Sequence, residues 1–111
     1  MPPLKSYKEL IVWQRSIELA KEIFYLTTLF PKSELYGIVA QMRRAAISIS
    51  SNIAEGYGRG SRGEFKQFLG IAYGSALELE TQLILSKELK LANLNEFDKS
   101  EKILVEVLKM L

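Results

Sequence analysis

Cysteine and histidine are both missing from this chain of 111 residues. Without cysteine there is no disulfide framework and no thiolate zinc site, so nothing demands an oxidising compartment. Without histidine the usual neutral-pH general base and the commonest metal ligand are gone. These two absences remove most enzyme classes, and the chain reads as non-enzymatic, with no cofactor and no metal. Proline stands only at positions 2, 3 and 31. No stretch approaches the ~18 uncharged apolar residues of a membrane-spanning helix. The segment Met1–Tyr7 carries no apolar core of a secretion signal. A soluble cytoplasmic protein with no membrane contact is the expectation.

What is present is helical periodicity, and the length fits one domain over 1–111. The punctuation by Pro31 and by the glycines from Gly56 to Gly63 cuts the chain into helices of about 7–29, 34–55, 61–91 and 95–110. In the first, Leu10, Trp13, Ile17, Ala20, Phe24 and Thr27 alternate at spacings of three and four. A second stripe, Leu19, Ile23, Leu26 and Phe30, runs beside it. The first stripe, with Trp13 as its anchor, is the expected core face. Two apolar stripes on one helix exceed what a single neighbour covers, so the helix either sits centrally in a bundle or also faces another subunit.

Ser33 is the expected N-cap of the second helix, whose stripe is Ile38, Met42, Ala45, Ile49, Ile53 and Gly56. Ile47-Ser48-Ile49-Ser50 alternates with period two, but no second strand exists for it to pair with, so helix is the expectation. The glycines from Gly56 onward break it, and Ser61 with Glu64 reads as a capping box. Phe65, Phe68, Leu69, Ala72, Ala76, Leu79, Leu83 and Ser86 then mark the core face of the third helix, with Leu77, Ile84 and Leu91 flanking it. Asn93 and Asn95 stop and restart the chain, Asn95 capping a last helix with Phe97, Ile103, Leu104, Val107, Leu108 and Leu111 inward. Four such helices with short connections predict an all-α, antiparallel up-and-down four-helix bundle that associates with copies of itself.

Charge is uneven. Residues 1–63 carry nine Lys/Arg against five Glu, and residues 64–111 six Lys against eight acids, within a net charge of +2. Four of the five arginines, Arg43, Arg44, Arg59 and Arg62, lie in a window whose only acid is Glu55. Arginine suits bidentate contacts with phosphate or carboxylate, so these four are the candidate nucleic-acid or partner-binding residues. The competing fate is ion pairing with Glu55, Glu78 or Glu80. Gly58-Arg59-Gly60-Ser61-Arg62-Gly63 matches the dinucleotide fingerprint, but that motif needs a preceding strand and here a helix precedes it. What survives is a glycine turn at a helix N-terminus flanked by arginines, which either holds a phosphate or, the slightly favoured reading, is a flexible interhelical turn whose arginines are solvated or salt-bridged. Ser48, Ser50, Ser51 and Asn52 are expected at a helix–helix or subunit seam.

Several motifs in fixed order resemble one family. They are Tyr7-Lys8-Glu9-Leu10 with Val12-Trp13-Gln14, Phe30-Pro31, Leu35-Tyr36-Gly37, Gln41-Met42-Arg43-Arg44-Ala45-Ala46, Ser51-Asn52-Ile53-Ala54-Glu55-Gly56, Glu64-Phe65 with Phe68-Leu69, and Ala76 with Glu78-Leu79-Glu80-Thr81-Gln82. Over about Tyr7–Asn93 the chain is similar to the four-helix-bundle proteins encoded in intervening sequences of bacterial 23S ribosomal RNA genes. The resemblance implies a ring-like homopentamer. It also implies kinship with the accessory protein of diversity-generating retroelements, which binds nucleic acid and a reverse transcriptase. Asn52, Glu55 and Gly56 are family-motif positions without an assigned role. The family usually has proline where this chain has Ser50, so a helix kink before Asn52 is expected to be weaker here. Two functions follow: an oligomeric adaptor binding RNA or DNA through the four arginines, or a structural protein–protein interaction module with no nucleic-acid role.

Overall fold

The three- and four-residue spacing of apolar side chains becomes four α-helices in a computed structural model that describes residues 6–111. They are α1 (Ile11–Thr28), α2 (Ala40–Gly58), α3 (Arg62–Glu88) and α4 (Asp98–Met110), and among the described residues no strand forms. Ile47–Ile53 lies in the middle of α2. The reading of Met1–Lys5 falls outside the described residues.

Cross-helix contacts fix the topology. Ser16 meets Ser50 and Thr27 meets Arg43, so α1 and α2 are antiparallel. Arg44 faces Glu78 while Gly56 approaches Phe68, so α3 returns along α2. Arg15–Glu106 and Glu22–Lys99 set α4 antiparallel to α1. The result is an up-and-down bundle 46 × 23 × 18 Å in extent. The α2–α3 contact is the most extensive and α3–α4 the slightest of the four neighbour contacts.

Leu19, Ile23, Leu26, Met42, Ile49, Ile53, Leu79, Leu83, Phe97 and Val107 are fully buried along the bundle axis. Each such side chain contributes about 1.5–3 kcal/mol relative to exposure. The core faces expected for the second, third and fourth helices are the ones observed, with Ile38, Phe65, Phe68, Leu69, Leu108 and Leu111 half-covered at the ends. In α1 the expected order of stripes is inverted. Leu19, Ile23, Leu26 and Phe30 form the core, whereas Trp13, Ile17 and Ala20 are half-buried and Phe24 is exposed. Only Thr27 of the first stripe is buried, and its hydroxyl donates to the Ile23 carbonyl at 2.7 Å. Trp13 packs at the rim, edge-on to Tyr7 at 5.2 Å between ring centres. Two stripes of similar apolarity differ only in which one the neighbouring helices happen to face.

The helix ends depart from expectation for local reasons. A 3-10 turn over Tyr7–Glu9, capped by Ser6, precedes α1. Ser33 is no N-cap; it lies inside the 3-10 turn Lys32–Glu34, and a π-helical turn over Leu35–Val39 follows. Gly37 breaks the helical geometry there, at φ −107° and ψ −114°. Helix α2 is regular from Ala40 and runs on through Gly56 to Gly58, so the chain turns at Gly60, where φ is +83°. Helix α2 is continuous through Ser50, whose hydroxyl lies 2.9 Å from that of buried Ser16.

The Ser61 capping box is as expected: its Oγ accepts from the Glu64 N–H at 3.2 Å and donates to the Glu64 carboxylate at 3.1 Å. Helix α3 ends sooner than position 91, in a Schellman motif. The Lys90 N–H donates to the Lys87 carbonyl and the Leu91 N–H to the Ser86 carbonyl, at 3.0 and 3.1 Å. Lys90 takes the left-handed position, at φ 57°. Asn95 caps nothing; it sits within a 3-10 turn, Leu94–Phe97, that leads into α4.

Candidate arginine interface

Helix α2 places the four candidate arginines, and it separates them. Arg43 and Arg44 lie in its first turns, while Arg59 and Arg62 lie beyond its C-terminal end. Sixteen residues of helix at 1.5 Å each put Arg43 and Arg59 about 24 Å apart. One copy of the chain therefore carries two arginine pairs at opposite ends of α2, where the sequence window suggested a single cluster.

Each pair has its own surroundings. Arg43 is half-buried on the α1 side of α2. Its Nε donates to Thr27 Oγ1 at 2.9 Å, and its guanidinium lies over the Phe24 ring at 4.9 Å. Among the described residues no carboxylate lies within ion-pair distance of it. Arg44 is exposed, donates to the Gln41 side-chain oxygen and stands 4.0 Å from Glu78 of α3. Arg59 reaches back to Glu55 at 3.6 Å and lies over the Phe68 ring at 5.1 Å. Arg62, the first residue of α3, is exposed and has no ion pair among the described residues. Two of the ion pairs anticipated for these arginines thus form, Arg59–Glu55 and Arg44–Glu78. Both are more than two-fifths exposed on each side, so solvent screening leaves them weak.

The motif positions are mostly scaffolding for this geometry. Asn52 Nδ2 donates to the Ser48 carbonyl at 2.8 Å and to Ser48 Oγ at 3.0 Å, and Ser48 meets Ser75 of α3 at 2.9 Å. That links the small polar residues across the α2–α3 seam. Gly56 is a point of close approach between the two helices: a Cβ there would lie 2.5 Å from the Cβ of Phe68. Tyr57 continues the contact, edge-on to Phe65 at 5.9 Å. These contacts hold the Gly58–Arg62 turn against the start of α3, and an open groove there is lined by Tyr57, Gly60, Ser61, Arg62 and Phe65.

One basic residue that sequence reasoning passed over is the best-paired in the molecule. Arg15 of α1 donates through Nε to Glu106 of α4 at 2.7 Å and also pairs with Glu18. The hydrogen bond from Glu106 holds its pKa above the usual arginine value. Its spacing to Glu106 spans almost the whole chain, so no local pattern could have announced the pair. A cavity of about 550 Å³ lies at the α3–α4 turn, lined by Leu29, Lys87, Lys90, Asn93, Leu94 and Glu96. Lys87 there is held by Glu101 at 3.1 Å, and the carbonyl end of α3 opposes anion binding. Among the described residues no group of three acidic, histidine or cysteine side chains could hold a metal ion, and no helix is long and apolar enough to cross a membrane.

The sequence model for 23S rRNA-intervening sequence proteins matches residues 8–111. In three dimensions the chain is similar to a crystallised protein of unknown function from the S23 ribosomal protein family of Bacteroides thetaiotaomicron VPI-5482. The TM-score is 0.82 at 26% identity, over 90% of this chain and 94% of that one. No curated protein matches the chain in sequence.

Proposed function

The chain belongs to the family of 23S rRNA-intervening sequence proteins, and from that premise we propose that it is a non-enzymatic helical module that works by associating with copies of itself. One observation carries this reading. The first apolar stripe of α1, the one turned away from the core, is left half-covered in a single copy: Phe24 is 39% exposed, and Ile47, one turn along α2 from the Arg43 that lies over Phe24, is 49% exposed. Exposed apolar side chains on one face of a helix pair fit an interaction site. The arginines support the same reading, because Arg44 and Arg59 already face acids of their own chain. The family resemblance implies a ring of five, which would have five times the 12.6 kDa chain mass. Light scattering coupled to size exclusion tests the proposal. Assembly that dissociates on dilution is the expected result, and 12.6 kDa at every concentration refutes it.

A second reading, phosphate binding by RNA or DNA, has its own support in Arg62. It is unpaired among the described residues and stands at the N-terminus of a 27-residue helix, one turn before Lys66 and three residues after Arg59. Repeated around an assembly, that turn would present several such positive ends to a backbone. Anisotropy of a labelled RNA and a labelled DNA oligonucleotide tests it. Affinity falling steeply between about 50 and 200 mM salt is expected. No binding at the lower salt removes this reading and leaves the interaction module.

A further inference from the structure

We infer that Arg43 of one copy pairs with Glu80 of a second copy, in a head-to-tail contact between opposite faces of the bundle. The inference rests on the self-association proposed above and identifies the residues that select the partner face. Arg43 and Glu80 are both half-buried, and neither has an ion-pair partner among the described residues. Each sits beside exposed apolar side chains. Arg43 is held between Thr27 and Phe24 on the α1 side of α2, with Ile47 one turn along. Glu80 lies in a groove with Ile84 of α3 and Val105 of α4, and the other acid there, Glu101, is taken by Lys87. Because α1 packs on α2 and α4, and α3 on α2 and α4, the α1–α2 face and the α3–α4 face are opposite sides of the molecule.

The two groups also stand at one height. Arg44 and Glu78 face each other at 4.0 Å across the α2–α3 seam, and Arg43 and Glu80 are one and two positions from them. Copies placed side by side around an axis parallel to the bundle therefore bring Arg43 level with Glu80. A single copy cannot join them, since they point to opposite sides. A contact made of two different faces is heterologous, the kind that builds closed rings or open filaments. The apolar neighbours supply the buried area, while the opposite charges specify which face meets which.

The test is a charge swap read by sedimentation and light scattering on the full chain. Arg43→Glu and Glu80→Arg should each shift assembly toward 12.6 kDa, weakening association at least about 30-fold, and the double swap should restore it. Circular dichroism confirms that the variants keep their helix content; should Arg43→Glu unfold, Glu80→Arg alone still decides, because that carboxylate has no ion-pair partner among the described residues of its own chain. An assembled wild type whose single reversals assemble equally well, or whose double swap recovers nothing, overturns the pairing; Arg43 then meets another occupant. A wild type that is monomeric throughout defeats the self-association reading itself.

Discussion

Gly56 offers the most direct test of how the bundle is held together, and the substitution is Gly56→Ala. The added Cβ would meet the Phe68 Cβ at 2.5 Å, with Phe65 Cδ1 and Phe68 Cγ each at 3.3 Å. A Cβ is fixed to its own backbone, so no change of rotamer at Phe68 relieves that contact. Restoring an ordinary separation of 3.4 Å requires α2 and α3 to move apart along their most extensive contact. Overpacking of this sort costs about 1–3 kcal/mol. Alanine returns up to ~1 kcal/mol of helix propensity in a helix interior, and less in the last turn, where Gly56 stands. The balance is a loss of about 1–2 kcal/mol, or a fall in Tm of about 4–8 °C. Thermal unfolding followed by circular dichroism, at matched concentrations because association contributes to Tm, measures it. Gly58→Ala is the control: nothing lies within 4 Å of a Cβ there, so its Tm should hold or rise. A Gly56→Ala protein as stable as the wild type would refute the close-approach argument.

Three further outcomes are expected. Ile23→Ala should cost about 2–5 kcal/mol in urea unfolding, because Ile23 is fully buried; half-covered Ile17→Ala should cost much less at low concentration and weaken association instead. Ser50→Ala should cost about 1 kcal/mol, and the Ser16→Ala/Ser50→Ala double less than the two singles added, since both hydroxyls share one 2.9 Å contact. Lys90→Gly should stabilise by about 0.5–1 kcal/mol in the same assay, because glycine takes the left-handed position at φ 57° without a Cβ penalty.

Local spacing carried most of the architecture. The run from Met42 to Ile53 reads as one helix face despite its alternating Ile-Ser pattern, and Ser61 with Glu64 announces the start of α3 without any tertiary information. Helix ends were less legible. Ser33 and Asn95 look like caps, yet the backbone there closes 3-10 turns first, and Lys90 occupies a position where a glycine would have been the signal. Gly56 reads as a helix breaker from composition; in the bundle it is a spacer between two helices. That distinction depends on Phe68, twelve residues away in sequence and in contact only after folding.

Periodicity and the missing residue types were enough to establish an all-helical chain, its number of helices, and three of their four inward faces. All three rest on geometry that repeats every few residues, which a linear pattern records faithfully. The side of α1 that turns inward, the splitting of the arginines to opposite ends of α2, the Arg15–Glu106 bridge and the lack of an ion pair at Arg43 and Glu80 among the described residues belong to the folded molecule. Each depends on which helix lies next to which, and a linear pattern holds no term for the distance between residues that only packing brings together.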